Sequence, residues 1–385
     1  MELAVIGRRL CGPLTGVGRY LEYLLYHWSR TETPFRRIRV WTPAEPELPP
    51  GTLGGAVELC VEPSRLPPLA WENLALPARL RGAAVIFGPY TLPWRAAGAS
   101  VVSNLGIYES RPEDFSWWQR ARTSPFFRRS ARIARLVIAN SQSTRREIVA
   151  HYGVAESKIR VIYPGVDDSF RPRGGDGVPA ALRAAYGLPD APYFLFVGKL
   201  SRRRNIPLLL DAFARLRREK TAPHALLLVG PDYLGVNAPR LIAERGLDGA
   251  AFYVPFAPRE DLIGLYSAAT AFVLPTEHEG FSFTILEAMA CGAPVVTFDH
   301  PPLNEAGVRE AVLAIEQPSA EALFAALREM AERPERRDEL RRLGLACAAR
   351  FSWREVAGQT MAVLCEAAGV PYVHRSKQEH HSPIL

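Results

Sequence analysis

Short apolar runs recur along the chain, each followed by enough residues for a helix, and they fall into two successive sets. The first set covers residues 3–6, 38–41, 57–61, 85–87, 101–102, 136–139 and 159–162. The second covers 193–197, 225–229, 252–255, 272–274, 295–298 and 312–315. Runs this short and this apolar, alternating with helical periodicity, predict parallel strands with helices on both faces, an α/β architecture. A loop over residues 8–18 and a helix over 19–25 follow the first strand, and a last helix runs from Trp353 to about Ala368. Residues 43–50, dense in proline and glutamate, read as a surface loop, and the Gly- and Pro-rich stretch after Asp167 reads as a linker.

One unit of this pattern carries candidate chemistry. The run ending at Leu274 stops at Pro275, a loop brings Glu277, Glu279 and Gly280, a helix passes through Glu287, and Gly292 and Pro294 precede the next strand. In an open parallel sheet this order puts the loop and the helix N-terminus at the carboxyl end of a strand, where phosphorylated ligands bind. Glu279 and Glu287 stand eight positions apart, about 12 Å of helical rise, too far to share a proton but suited to the two ends of one elongated ligand. Read alone, they are a capping residue and an exposed helix carboxylate. A second cluster follows the strand at 193–197, where Lys199, Arg202, Arg203 and Arg204 crowd six positions. Cations so close repel one another unless an anion compensates them, and a diphosphate does so. Near the start, Gly16 and Gly18 sit in a strand-to-helix turn where glycine lets backbone N–H groups approach an anion.

Composition narrows the field only a little. A chain of 385 residues, 48% hydrophobic and 23% charged, is ordinary for a globular protein and predicts two domains. Its net charge of +7 suits phosphate-bearing ligands, an anionic membrane surface or nucleic acid equally. Five scattered cysteines without CxxC pairs predict a reduced, cytoplasmic interior. The expectation is a protein without a cleaved signal or a membrane span, since no run of about 18 apolar residues occurs. Residues 115–135 mix Trp117, Trp118, Phe126 and Phe127 with Arg128, Arg129 and further arginines. They predict either a helix lying on anionic lipid or an amphipathic helix with its aromatics turned inward. Asn140 to Thr144 offer a helix N-cap and nothing more.

The ordered motifs TGVGRY, ANSQSTRREI, VIYPGVDDSF, FVGKLSRRRNIPLLLDAF and LYSAATAFVLPTEHEGFSFTILEAMACGAPVV together resemble the retaining glycosyltransferases of family four, with their Glu-seven-Glu motif at Glu279 and Glu287. That resemblance implies the GT-B fold, two Rossmann-like domains with parallel sheets facing a central cleft. Residues 1–170 would form an acceptor-binding domain joined by the helix 352–370, 171–190 a linker, 191–351 the nucleotide-sugar domain, and 374–385 a loose tail. It implies a hexose, mannose or glucose, moved from GDP-mannose or a UDP-hexose to a glycan or lipid-linked acceptor in surface polysaccharide or glycolipid assembly, with no nucleic-acid partner. Glu279, Lys199 and Arg204 would be catalytic. Gly16, Gly18, Gly198, Gly280, Phe281, Ser282, Phe283, Glu287 and Val254 would bind the donor. The family's arginine and lysine appear here with identities exchanged, as Lys199 and Arg204, and Ser282 replaces a frequent glycine. No metal or cofactor is implied, the nucleotide sugar being a substrate. Asp167 and Asp168 are adjacent, and the eight histidines form no HExxH.

One departure stands out. Where many members carry a His-Asp pair after the strand at 101–102, this chain has Leu105 and Gly106, with Asn104, Tyr108 and Glu109 nearby. That gap motivates the reading of a protein that binds the nucleotide sugar without transferring it, and a nucleotide-sugar epimerase on the same fold stays open beside it.

Overall fold

The computed structural model describes residues 1–374 except 13, 15, 97, 109–116, 175–178, 221, 233–234 and 373, and except the side chain of Gln119. Glu109, part of the linker and nearly all of the polar tail thus lie outside the described residues. The chain divides into two compact units. One runs to Gly165 and takes back the C-terminal segment from Ser352, and the other runs from Val166 to Phe351.

In the first unit, β1 (Glu2–Ile6), β2 (Arg37–Thr42), β3 (Val57–Val61), β4 (Val85–Pro89), β5 (Ala99–Asn104), β6 (Leu136–Ala139) and β7 (Ile159–Val161) form one sheet in the order β3-β2-β1-β4-β5-β6-β7. All pairings within it are parallel. The helix Trp353–Ala368 belongs to this unit because its first residue has aromatic partners there. Trp353 stacks on Tyr23 at 4.7 Å and meets Tyr20 edge-on, while the Trp28 indole N–H donates to the Ala357 carbonyl at 3.0 Å. Gly165 makes that return possible, since a Cβ there would lie 2.3 Å from the Trp353 nitrogen.

The second unit holds β8 (Tyr193–Val197), β9 (Ala225–Val229), β10 (Ala251–Val254), β11 (Ala271–Leu274), β12 (Val295–Phe298) and β13 (Leu313–Ile315), in the order β10-β9-β8-β11-β12-β13, again all parallel. Its central strands read as unbroken apolar runs because helices cover both faces, and every residue of β8, β9, β11 and β12 is buried. The helix Ile206–Arg218 turns Leu209, Leu210, Phe213 and Leu216 inward at helical spacing. The strand order reverses between β8 and β11. At such a switch point the two neighbouring loops leave in opposite directions and open a crevice outside the carboxyl ends.

The first helix differs from its expected bounds. It spans Gly16–Trp28, so Gly16 and Gly18 lie in its first turn and not in a preceding loop. The cause is the tight turn Arg8–Leu10, which folds back over the helix start and leaves room only for hydrogen at Gly18, where a Cβ would meet the Arg9 carbonyl oxygen at 2.6 Å.

Candidate active site at the switch point of the second unit

The loops after β8 and β11 are tied to each other. Gly198, with φ +151, leaves β8 and donates to the Val229 carbonyl at 2.8 Å, and a Cβ on it would lie 1.8 Å from Arg204 Nη1. A three-residue turn, Arg202–Arg204, ends at Asn205, whose left-handed backbone (φ 47) suits asparagine better than a branched residue. The Asn205 amide donates to the Pro275 carbonyl at 3.1 Å and to Glu277 Oε1 at 2.8 Å, which fixes the spacing between the two loops.

Glu279 is the electrostatic centre. It is 4% exposed, and three groups converge on its Oε1: Arg203 Nη1 at 2.6 Å, Arg204 Nη2 at 3.1 Å and the Thr276 hydroxyl at 3.5 Å. Arg203 Nη1 also donates to the His278 carbonyl at 2.7 Å. Burial alone would push this carboxyl up, but the Arg203 and Arg204 guanidiniums outweigh it and hold the pKa down to about 2. A carboxylate fixed by two cations keeps its charge and its rotamer.

The helix Phe283–Ala290 begins beside it. Ser282 takes the N-cap position, but its hydroxyl contacts Thr284 Oγ1 at 3.0 Å and caps no first-turn N–H. Gly280 is buried in the same loop. Phe281 turns its ring into packing against Phe351, 5.7 Å between centroids, so any donor contact from it is a backbone contact. Glu287 is buried at 4% exposure, not exposed as its spacing alone suggests, because this helix packs on all sides. Its charge adds to burial in pushing the Cys291 thiol up to about 12, and all five cysteines are free. Lys199 is exposed, with its carbonyl accepting from Arg204 Nη1 at 3.3 Å. At the end of β10 the Val254 carbonyl accepts the Gly230 N–H at 2.9 Å, leaving Phe256, 71% exposed, as the forward residue of that turn.

The motifs expect Lys199 and Arg204 on a diphosphate, whereas here Arg204 and Arg203 pair with Glu279. The profile described as "Glycosyltransferase Family 4" matches residues 14–170, and that described as "Glycosyl transferases group 1" matches residues 180–344. The chain belongs to this glycosyltransferase family. Among curated relatives, a D-inositol 3-phosphate glycosyltransferase of Saccharomonospora viridis is 34% identical over 60% of this chain and 55% of its own length. The O-antigen chain mannosyltransferase B of Escherichia coli is 32% identical over 59% and 60%. The chain thus spans little more than half the length of these relatives. Among solved structures, WaaG, a glycosyltransferase involved in lipopolysaccharide biosynthesis, aligns with a TM-score of 0.74 at 18% identity, covering 94% of this chain and 99% of its own. Anabaena Alr3699/HepE in complex with UDP-glucose aligns at 0.70 and 20% identity, covering 94% and 98%. These likenesses show the GT-B fold.

Two residues near this site were not singled out by the motifs. Arg203 bonds Glu279 at 2.6 Å, yet in sequence it is one of three consecutive arginines, and only the 3-10 turn brings it and Arg204 onto the carboxylate. His300, two residues beyond β12, belongs to no motif. In the first unit, the Leu105-Gly106 turn, where the resemblance leads one to expect a His-Asp pair, is clamped. The Tyr90 hydroxyl donates to the Gly106 carbonyl at 3.3 Å, Tyr108 to the Leu105 carbonyl at 3.1 Å, and the Gly106 N–H donates to Asn104 Oδ1 at 3.1 Å. Gly106 has φ +127, and a Cβ there would lie 2.9 Å from the Tyr108 ring, so an aspartate does not fit this turn as folded. Ser141 acts as a plain cap, accepting the Thr144 N–H at 2.9 Å. Among the described residues no group of three His, Cys, Asp or Glu is placed to hold a metal.

The aromatic-basic helix Trp117–Ile133 has its phenylalanines half-buried and its tryptophans exposed. Phe127 and Ala131 reach the core, while Trp117 and Trp118, about 15 Å further toward the helix N-terminus, stack on each other at 3.9 Å and are each 63% exposed. Among the described residues these two rings are not part of the core that Phe127 and Ala131 reach. A groove of about 830 Å³ runs beside them, lined by Arg120, Arg128, Arg129, Arg132 and His151. No described helix is long and apolar enough to cross a membrane.

Proposed function

We propose that the protein transfers a hexose, mannose or glucose, from a nucleoside-diphosphate sugar to a glycan or lipid-linked acceptor with retention of anomeric configuration. The observation that carries this reading is the buried Glu279 carboxylate clamped by Arg203 and Arg204 at the switch point, beside the N-terminus of the Phe283–Ala290 helix. Breaking the anomeric bond develops an oxocarbenium-like sugar and a diphosphate of growing charge, so stabilising the leaving group is the main requirement. Lys199, Arg204 and the helix N-terminus supply it, Glu279 holds the sugar hydroxyls and Glu287 the ribose. The leaving phosphate takes the acceptor proton on the same face, so no protein nucleophile, metal or cofactor enters. The names of the relatives, a mannosyltransferase and inositol-phosphate glycosyltransferases, and a neighbour bound to UDP-glucose support a nucleotide-sugar donor of this kind.

Incubation with a panel of GDP- and UDP-sugars tests it. The expected result is nucleoside-diphosphate release that depends on an added acceptor. An isomerised donor sugar supports the epimerase instead, and binding without turnover supports a protein that no longer transfers.

The exposed Trp117-Trp118 pair beside four arginines supports peripheral contact with an anionic membrane, where a lipid-linked acceptor resides. Vesicles containing anionic lipid should bind the chain, and exchanging both Arg128 and Arg129 for alanine should weaken binding by about 2 kcal/mol, near 1 for each charge. Equal partitioning onto neutral vesicles, unaffected by salt, rules the contact out.

A further inference from the structure

We propose that His300 is a positioning residue for the donor hexose, its imidazole hydrogen-bonding a sugar hydroxyl beside Glu279. This rests on the nucleotide-sugar reading above and adds a residue that the motifs do not contain.

The placement follows from the sheet. β11 and β12 are parallel neighbours in register, with Leu274 opposite Thr297. The chain that leaves Leu274 reaches Glu279, and the chain that leaves Phe298 reaches His300, so both emerge at the same carboxyl edge. His300 then caps the rigid turn Pro301–Asn304, with its carbonyl accepting the Leu303 N–H at 3.0 Å. Its charged neighbours come from all three adjoining segments: Glu279 from the loop after β11, Asp299 from its own, and Arg203 from the loop after β8.

The side chain is 3% exposed, and neither ring nitrogen has a hydrogen-bond partner among the described residues. A buried imidazole left in that state is unfavourable, and any apolar side chain of similar size would cost less. The retained polarity is explained when a ligand supplies the missing partner. Burial, with Arg203 adding to it, lowers the pKa to about 4 against the pull of Glu279 and Asp299, so the ring is neutral at physiological pH. A neutral imidazole presents one donor and one acceptor, and a hydroxyl complements either, whereas a diphosphate calls for the cations of the neighbouring loop. His224, the other histidine of this unit with a strongly lowered pKa, provides the contrast. It precedes β9, at the amino edge of the sheet, and stacks on Phe194 at 4.9 Å, which accounts for it as packing.

The test compares His300→Ala and His300→Asn in the full chain, using whichever nucleotide sugar the wild type turns over fastest. His300→Ala should lose about tenfold or more in kcat/KM for the donor, the worth of one buried hydrogen bond. Its calorimetric Kd for the matching nucleoside diphosphate, which lacks the hexose, should stay at the wild-type value. His300→Asn, which keeps a donor and an acceptor, should recover most of the loss and keeps the test valid if the alanine variant does not fold. An equal loss of nucleoside-diphosphate affinity, or unchanged kcat/KM in a folded His300→Ala protein, overturns the proposal. A wild-type chain that neither binds nor turns over any nucleotide sugar overturns the parent reading along with it, whereas an active wild type with an indifferent His300 overturns this inference alone.

Discussion

Replacing Glu279 with alanine should abolish most transfer and destabilise the second unit at the same time. The carboxylate is the shared partner of Arg203 and Arg204, both nearly buried, and removing it takes a charge-assisted bond from each guanidinium. Breaking a buried pair by deleting one partner costs about 3 to 5 kcal/mol. In the transition state the loss of a preorganised charged group is expected to lower kcat by about a hundred- to a thousandfold. The two effects separate by temperature, since kcat measured well below the melting transition reports only the second. The acid response gives an independent check. A carboxyl held at about 2 against an ordinary value of 4.5 favours the folded state at any pH above the unfolded value, and that contribution fades as pH falls from about 4.5 toward 2. Glu279→Ala should lack this part of the acid limb. A variant that keeps wild-type turnover and the wild-type acid profile would remove Glu279 from the site altogether.

The second large effect belongs to the cations after β8. Lys199→Ala and Arg204→Ala should each lower kcat by about a hundredfold or more if they stabilise the departing diphosphate, but they should differ in stability. Lys199 is exposed, so its removal should leave the melting temperature unchanged. Arg204 also pairs with Glu279, so its removal should destabilise as well as slow the protein. Arg204→Lys restores charge without the planar fork, and it should recover rate only in part because a point charge cannot hold Glu279 and a phosphate together. Thermal melts combined with single-turnover nucleoside-diphosphate release measure both quantities. If Lys199→Ala proved unfolded and Arg204→Ala fully active, the division of roles would be reversed.

The placement of the strands was legible because each apolar run is short, bounded by proline, glycine or polar residues, and buried on both faces. Leu195, Leu227 and Val273 have no polar alternation to confuse the period. The Glu279–Glu287 pair was legible for a different reason, since its spacing fixes two carboxylates relative to one helix whatever lies around it. What spacing did not carry was environment. Glu287 reads as exposed on an isolated helix and is buried because the Phe283–Ala290 helix is covered on every side. Trp117 and Trp118 read in sequence more readily as packed inward than as surface, yet both are exposed.

Local sequence thus determined the order of strands and helices, the two-domain α/β class and the loops that bear charge, because those depend on periodicity and on backbone preferences acting over a few residues. The tertiary structure alone brought Arg203 and Arg204 onto Glu279 and brought His300 to the edge that bears it. Each of those outcomes depends on strand register and on what lies across a loop, and contacts between residues 75 or more positions apart leave no period in the chain for a reader to find.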